Sequence, residues 1–339
     1  MPTVVYIACA DTREIHVGHL DNAAGTMRVI QKAVMPGVVM PLAVSPNRRL
    51  LYACLRSEPF SVATLAIESA AGTLRLLRTA ALPDNMAYIS TDTTGRFLFG
   101  ASYSGDRISV SPIDTRGQVE AEPAQILRTA SHPHSILTDA SNRYLFVPCL
   151  GNDVILQYRF DPAAGRLSPN APPAAEASMH AGPRHLVFDP HDRFAYCTNE
   201  LDATVGAYRF DPAAGTLTPI GTASLLPEGH QGSPPFAAAD IHVRPDGRYL
   251  YASERASNTL STFRIDPASG AAVRVQNLPT EDKPRGFQID PAGRFLLAVG
   301  QVSNQLTSYA IHPDTGWLTP RHRYPMGRNP NWVEIVNLP

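Results

Sequence analysis

The chain has 339 residues, 44% of them hydrophobic, and its 29 Lys and Arg against 30 Asp and Glu leave a formal charge of −1. Nothing in that balance points to a nucleic acid or an anionic membrane. No apolar run reaches the ~18 residues of a spanning helix, and the 31 prolines and 23 glycines fall between short apolar stretches, where they mark turns.

The chain opens on a strand, Val4-Val5-Tyr6-Ile7-Ala8, with no basic start and apolar core ahead of it. On that reading no signal peptide is expected, and the cytoplasm is the expected compartment. A glycine turn then recurs seven times, ending at Gly25, Gly72, Gly117, Gly165, Gly215, Gly270 and Gly316. Successive copies lie 47, 45, 48, 50, 55 and 46 residues apart. A period of about 40–50 residues with hairpin turns belongs to four-stranded propeller blades. A second motif runs in phase: a tight turn, an arginine, then a strand, at Arg49-Leu50, Arg96-Phe97, Arg143-Tyr144, Arg193-Phe194, Arg248-Tyr249 and Arg294-Phe295.

Six copies of the second motif against seven of the first leave half a blade at each end. The opening strand would be second in its blade, and Asn331-Trp332-Val333-Glu334-Ile335-Val336 would be first. Pairing the two completes a seventh blade and leaves no open edge. The expected fold is all-β, one seven-bladed β-propeller domain over residues 1–339 with four antiparallel strands per blade. The longest repeat carries the stretch 227–239, which reads as a surface loop. Cys9, Cys54, Cys149 and Cys197 fall near second-strand ends with no CxxC pair, so they read as small buried residues.

In a blade the first strand lines the channel and the second runs back, so the start of one and the end of the other share a face of the disc. Nine residues before the motif arginine stand Met40, Ala87, His134, Arg184, Ala239 and Arg285, with Asn331 in the seventh repeat. Seven residues after it stand Arg56, Tyr103, Leu150, Glu200, Arg255 and Gln301. One channel mouth is therefore expected to gather His134, Arg184, Glu200 and Arg285. Arg56, Tyr103 and Arg255 would lie further out, with Asp240 and His242 near and His185 beside Arg184.

Polar strand ends in propellers often only satisfy loop carbonyls, but several charges around one cavity need partners. The excess of arginine on a nearly neutral chain suits a small anionic ligand, because a guanidinium grips carboxylate or phosphate with two prongs. His132 and His134, alternate residues of an outward strand, would share a face, and His180, His185 and His242 add imidazoles. No carboxylate stands at a ligand spacing, so neither a metal nor another cofactor is expected. Ser135 would point away from His134, which disfavours a covalent serine mechanism.

Several segments carry a resemblance that spans the chain: Pro133-His134-Ser135, Gly182-Pro183-Arg184-His185, Thr198-Asn199-Glu200-Leu201, Ala238-Ala239-Asp240-Ile241-His242 and Lys283-Pro284-Arg285-Gly286-Phe287. They resemble the signature segments of the bacterial seven-bladed 6-phosphogluconolactonase family, whose superfamily includes fungal carboxymuconate lactonising enzymes and aldaric acid lactonases. The resemblance implies lactone hydrolysis, with 6-phosphogluconolactone as the default substrate. It also assigns the His, two Arg and Glu of the lactonising branch to His134, Arg184, Arg285 and Glu200. His134 or Glu200 would activate water, and the arginines would hold the oxyanion and the substrate's own charge. Arg56, Tyr103, His185, Asp240, His242, Arg255 and Asn331 are expected to line the substrate. Asn331 departs from the small or apolar residue expected there in the phosphogluconolactonase branch. A muconate-type cycloisomerase, an aldaric lactone hydrolase and a non-catalytic binding propeller are the alternatives. The expected partner is a small anionic lactone, without nucleic acid or membrane, acting on a monomer or weak homo-oligomer.

Overall fold

The structure, a computed structural model, describes residues 2–227, 229 and 235–339. Among these residues the apolar runs form strands that assemble into seven four-stranded antiparallel sheets. Six follow the chain as blades I (39–81), II (88–128), III (137–176), IV (183–224), V (238–279) and VI (284–325). Blade VII joins Thr3–Cys9, Glu14–Leu20 and Met27–Val34 to Pro330–Asn337. Pro330–Asn337 pairs antiparallel with Thr3–Cys9, Glu334 opposite Tyr6, so the ring of the seven-bladed propeller closes as the motif count implies.

The two repeated motifs form the halves of a clasp between blades. Both turns, between first and second strands and between third and fourth, lie on one face of the disc. The strand residue after each motif arginine covers the turn glycine of the next blade. Tyr144 lies on Gly215 and Phe194 on Gly270, where an added Cβ would come within 2.0 and 2.3 Å of the ring. Both glycines also hold positive φ, 68° and 78°, so a side chain is excluded twice over. The arginine reaches the same turn: Arg143 donates to the Pro212 carbonyl at 2.8 Å and Arg193 to that of Pro267 at 3.2 Å. Tyr196, further along the strand, donates its hydroxyl to the Gly270 carbonyl at 3.0 Å. Ahead of the arginine an aspartate locks the turn. Asp189 Oδ1 accepts from the N–H groups of Arg193 and Phe194 at 2.6 and 2.7 Å.

Apolar side chains of adjoining blades fill the wedges, as where Tyr196 and Val205 of blade IV meet Leu250 and Phe263 of blade V. All four cysteines are buried and unpaired. The expected loop at 227–239 lies partly outside the described residues, at 228 and 230–234. Its far end falls earlier than expected, because Ala238 and Ala239 already belong to the inner strand Ala238–Val243. Ala238 is fixed there by donating its N–H to the Glu200 carbonyl at 3.2 Å.

Candidate active site

The face opposite the clasps gathers the polar strand ends, and local irregularity aims them. The inner strands of blades IV, V and VI each begin with a bulge, between Pro183 and Leu186, Ala238 and Ile241, and Pro284 and Gly286. A regular strand would send Arg184 and His185 to opposite sides. The bulge re-aims the pair, and both are buried.

In blade III the inner strand is only Leu137–Thr138, so His134 stands on irregular backbone, its N–H donating to the Pro148 carbonyl at 3.0 Å. This corrects the expectation that His132 and His134 share a face of one strand. His132 sits at φ 61°, a left-handed conformation that breaks the alternation. Its ring stacks on Tyr103 with centroids 4.3 Å apart, while Tyr103 meets His134 edge-on at 5.7 Å.

Charge at the mouth is organised around Glu200. Arg184 Nε lies 2.8 Å from one carboxylate oxygen and Arg255 Nη2 lies 2.9 Å from the other. Both contacts tie a buried guanidinium nitrogen to the carboxylate. Arg184 also donates to the Ala239 carbonyl at 2.7 Å, and Arg255 to that of Ala237 at 3.0 Å. Arg255, expected further out, thus touches the central carboxylate, while Arg285 has no ion-pair partner among the described residues. Arg56 reaches Asn85 and the Met40 sulfur rather than an acid.

These surroundings shift proton affinities in a consistent direction. Burial alone would raise the Glu200 pKa, but Arg184 and Arg255 override it and hold the carboxyl low. Burial, then the charges of Arg255, pull Arg184 down to about 10 despite Glu200. Arg285 falls well below the usual guanidinium range through burial and the nearby Arg184, Arg255 and Arg56. His134 is held well below 6.5 by burial first, then by Arg184, His185, Arg285 and Arg255, so its imidazole is neutral at neutral pH.

Asp240 anchors a second cluster. Its Oδ1 accepts from His185 Nδ1 at 2.9 Å and the Ile241 N–H at 3.0 Å. Its Oδ2 accepts from the Phe287 N–H at 3.1 Å and pairs with His242 Nε2 at 3.3 Å. Burial would raise the Asp240 pKa, but His242 and these bonds hold it far below the usual carboxylate range. His185 is lowered to about 3 by burial and Arg184, against the pull of Asp240. Both oxygens of Asp240, expected to line the substrate, accept from protein donors.

Sequence register missed Tyr88 and Trp332. Tyr88 meets His185 edge-on at 5.1 Å and Trp332 at 5.2 Å, closing an aromatic wall beside the histidines. The signal was present one residue after the mouth position, where the repeats read Tyr88, His185, Asp240 and Trp332. Asn331 is fully buried; its Nδ2 donates to the Asn329 carbonyl at 2.9 Å while Oδ1 has no partner among the described residues. No group of three or more His, Cys, Asp or Glu among the described residues is placed to hold a metal ion.

The family model for the seven-bladed β-propeller lactonases matches residues 4–335. A 6-phosphogluconolactonase of Yersinia pestis (strain Pestoides F) is 41% identical over 335 residues, covering 99% of this chain and 98% of its own. One from Serratia proteamaculans (strain 568) is 40% identical over 336 residues and 99% of both chains. Among solved structures, the periplasmic gluconolactonase PpgL of Pseudomonas aeruginosa superposes over 100% of both chains, with TM-score 0.90 and 28% identity. A putative 6-phosphogluconolactonase of Bacteroides uniformis does so over 99% of each, with TM-score 0.89 and 27% identity. With a clasped seven-blade ring, an arginine-rich mouth and full-length matches of this kind, the chain belongs to the bacterial 6-phosphogluconolactonase and gluconolactonase-like family of seven-bladed propeller lactonases.

Proposed function

We propose that the protein hydrolyses a sugar-acid lactone carrying a negative group, with 6-phosphogluconolactone the first substrate to test. One observation carries the reading. A single carboxylate, Glu200, lies between Arg184 and Arg255, with Arg285 and Arg56 close by and unneutralised, around a neutral imidazole. Such a surplus of fixed positive charge suits an anion and the oxyanion that forms from its lactone carbonyl.

His134 is the proton acceptor in this reading. The Glu200 carboxylate is engaged by two guanidiniums, whereas the neutral His134 imidazole keeps a ring lone pair. Water's oxygen bonds the carbonyl carbon as its proton passes to His134. The arginines hold the oxyanion, the ring C–O bond breaks, and the proton moves on to the departing oxygen. A second reading, an aldaric lactone, uses the same arginines on a second carboxylate.

Proton release measured on 6-phosphogluconolactone, gluconolactone, glucarolactone and galactarolactone, corrected for spontaneous opening, tests the proposal. Turnover of a charged lactone above the neutral one is expected. No turnover of any of the four sinks it.

A further inference from the structure

Around blade VI the repeats exchange acids for bases. The turn between third and fourth strands opens on an acid in every other blade: Asp21, Glu68, Asp114, Asp161, Asp211 and Asp266. In blade VI it opens on His312, whose Nδ1 accepts the N–H groups of Asp314 and Thr315 at 3.3 Å. The turn between first and second strands opens on Ser45, Asp92, Asp139, Asp189 and Asp290, but in blade V on Arg244. Arg244 reaches into blade VI and donates to the Gly293 and Pro313 carbonyls, each at 2.9 Å.

These exchanges border a groove of about 710 Å³ at the clasp between blades VI and VII. Arg244, Arg294, Arg321 and His322 line it, with Phe295 and Ile311 among its apolar walls. Arg294 is the motif arginine of this seam. Its counterparts Arg96, Arg143 and Arg193 are each spent on a proline carbonyl in the next blade's turn. The facing turn of blade VII, Asn22-Ala23-Ala24-Gly25, has no proline. Arg294 donates its backbone N–H to Asp290, while its guanidinium makes no hydrogen bond or ion pair among the described residues. Arg321 and His322 are exposed on the outer strand Leu318–Pro325 and make no ion pair there either. The neighbouring carboxylates are engaged elsewhere. Asp246 pairs with Arg244 at 3.1 Å, Asp290 accepts from the N–H groups of Arg294 and Phe295, and Asp21 from those of Ala23 and Ala24.

We propose that this groove is a second binding site, for a small organic phosphate, on the face of the disc opposite the lactone mouth. Arg294 and Arg321 offer two uncommitted guanidinium forks to phosphate oxygens, and His322 adds a ring N–H. The volume falls within the roughly 300–1,000 Å³ of small-molecule sites. Apolar walls beside the cations suit a ligand with an uncharged body rather than a bare ion. Confinement to one seam suits a small molecule rather than a nucleic acid, which needs a basic stripe along a whole face. The site stands apart from the lactonase reading, because it shares no residue with the mouth.

Equilibrium dialysis in a low-salt buffer free of phosphate tests it, with ADP as the probe and adenosine as its uncharged counterpart. ADP should bind with a Kd of about 1 mM or tighter, and adenosine should not bind. R294Q/R321Q should weaken ADP binding at least about 10-fold. Both side chains are exposed, so melting temperature and lactone turnover should stay near normal in that variant. R285Q, at the mouth, should do the reverse: slow turnover and keep the groove's ADP. Equal ADP affinity in the unmodified protein and R294Q/R321Q refutes the proposal, and so does adenosine binding as tightly as ADP. Absence of ADP binding at about 10 mM also refutes it. ADP binding lost in R285Q but kept in R294Q/R321Q would put the anion at the mouth and overturn the second site. Absence of lactone turnover in the unmodified protein would remove the substrate reading alone, because dialysis reads the groove directly.

Discussion

Arg285 makes no ion pair among the described residues, and that makes it the most informative single side chain at the mouth. If it holds the oxyanion or the substrate's negative group, Arg285→Ala lowers kcat/KM by on the order of 10²–10³. The same change removes one of the charges that depress His134. The acid limb of the rate profile should therefore lie below pH 6.5 in the unmodified protein and move upward in the variant. A steady-state pH series on both proteins checks this; an acid limb that stays put in a slowed variant separates Arg285 from His134. Register alone picked out His134, Arg184, Glu200 and Arg285 as strand-end groups on one face. It set Arg255 further out and passed over Tyr88 and Trp332, which stand one residue beyond the position it sampled in each repeat. Bulges turn neighbours such as Arg184 and His185 inward together, and a bulge leaves no mark in residue spacing.

The repeated turns were plain at the scale of elements, but their purpose was not. Arg143 and the Pro212 carbonyl it meets stand 69 positions apart, so nothing local in the sequence joins them. Only stacked blades bring an aromatic ring over the next blade's glycine. Tyr196→Phe deletes one buried hydroxyl bond to Gly270 and should cost about 1 kcal/mol. Gly215→Ala forces a side chain into a left-handed turn already covered by Tyr144, and should cost at least ~1–3 kcal/mol. Denaturant midpoints measure both losses. Lactonase rates of the folded variants should stay near normal, since the clasps lie on the face opposite the site. A clasp variant that keeps its stability but loses its activity would contradict this division of faces.

The channel itself adds a titration that belongs to the whole ring. Glu334, on the closing strand, accepts from Trp332 Nε1 at 2.9 Å. Burial raises its pKa from 4.5 to about 7, with Asp240 adding to the rise and Trp332 and His242 opposing it. Because the folded value exceeds the unfolded one, its contribution to stability is complete below about pH 4.5 and is lost as pH rises through 7. Glu334→Gln cannot ionise, so its melting temperature should gain on the unmodified protein across that window and hold the gain above it. A difference that is flat with pH would show that Glu334 titrates normally.

Ring closure has a consequence for biosynthesis. Thr3 and Asn337 share a hydrogen bond across 334 positions, and Asn331, Trp332 and Glu334 arrive on the same late strand. While the ribosome is still making blade VI, the strand Thr3–Cys9 waits with one bare edge, and the mouth lacks its last wall. A chain cut short before residue 330 would carry His134, Glu200 and all four mouth arginines yet could not assemble the pocket around them. Catalytic competence should thus switch on late and all at once during translation, rather than growing blade by blade.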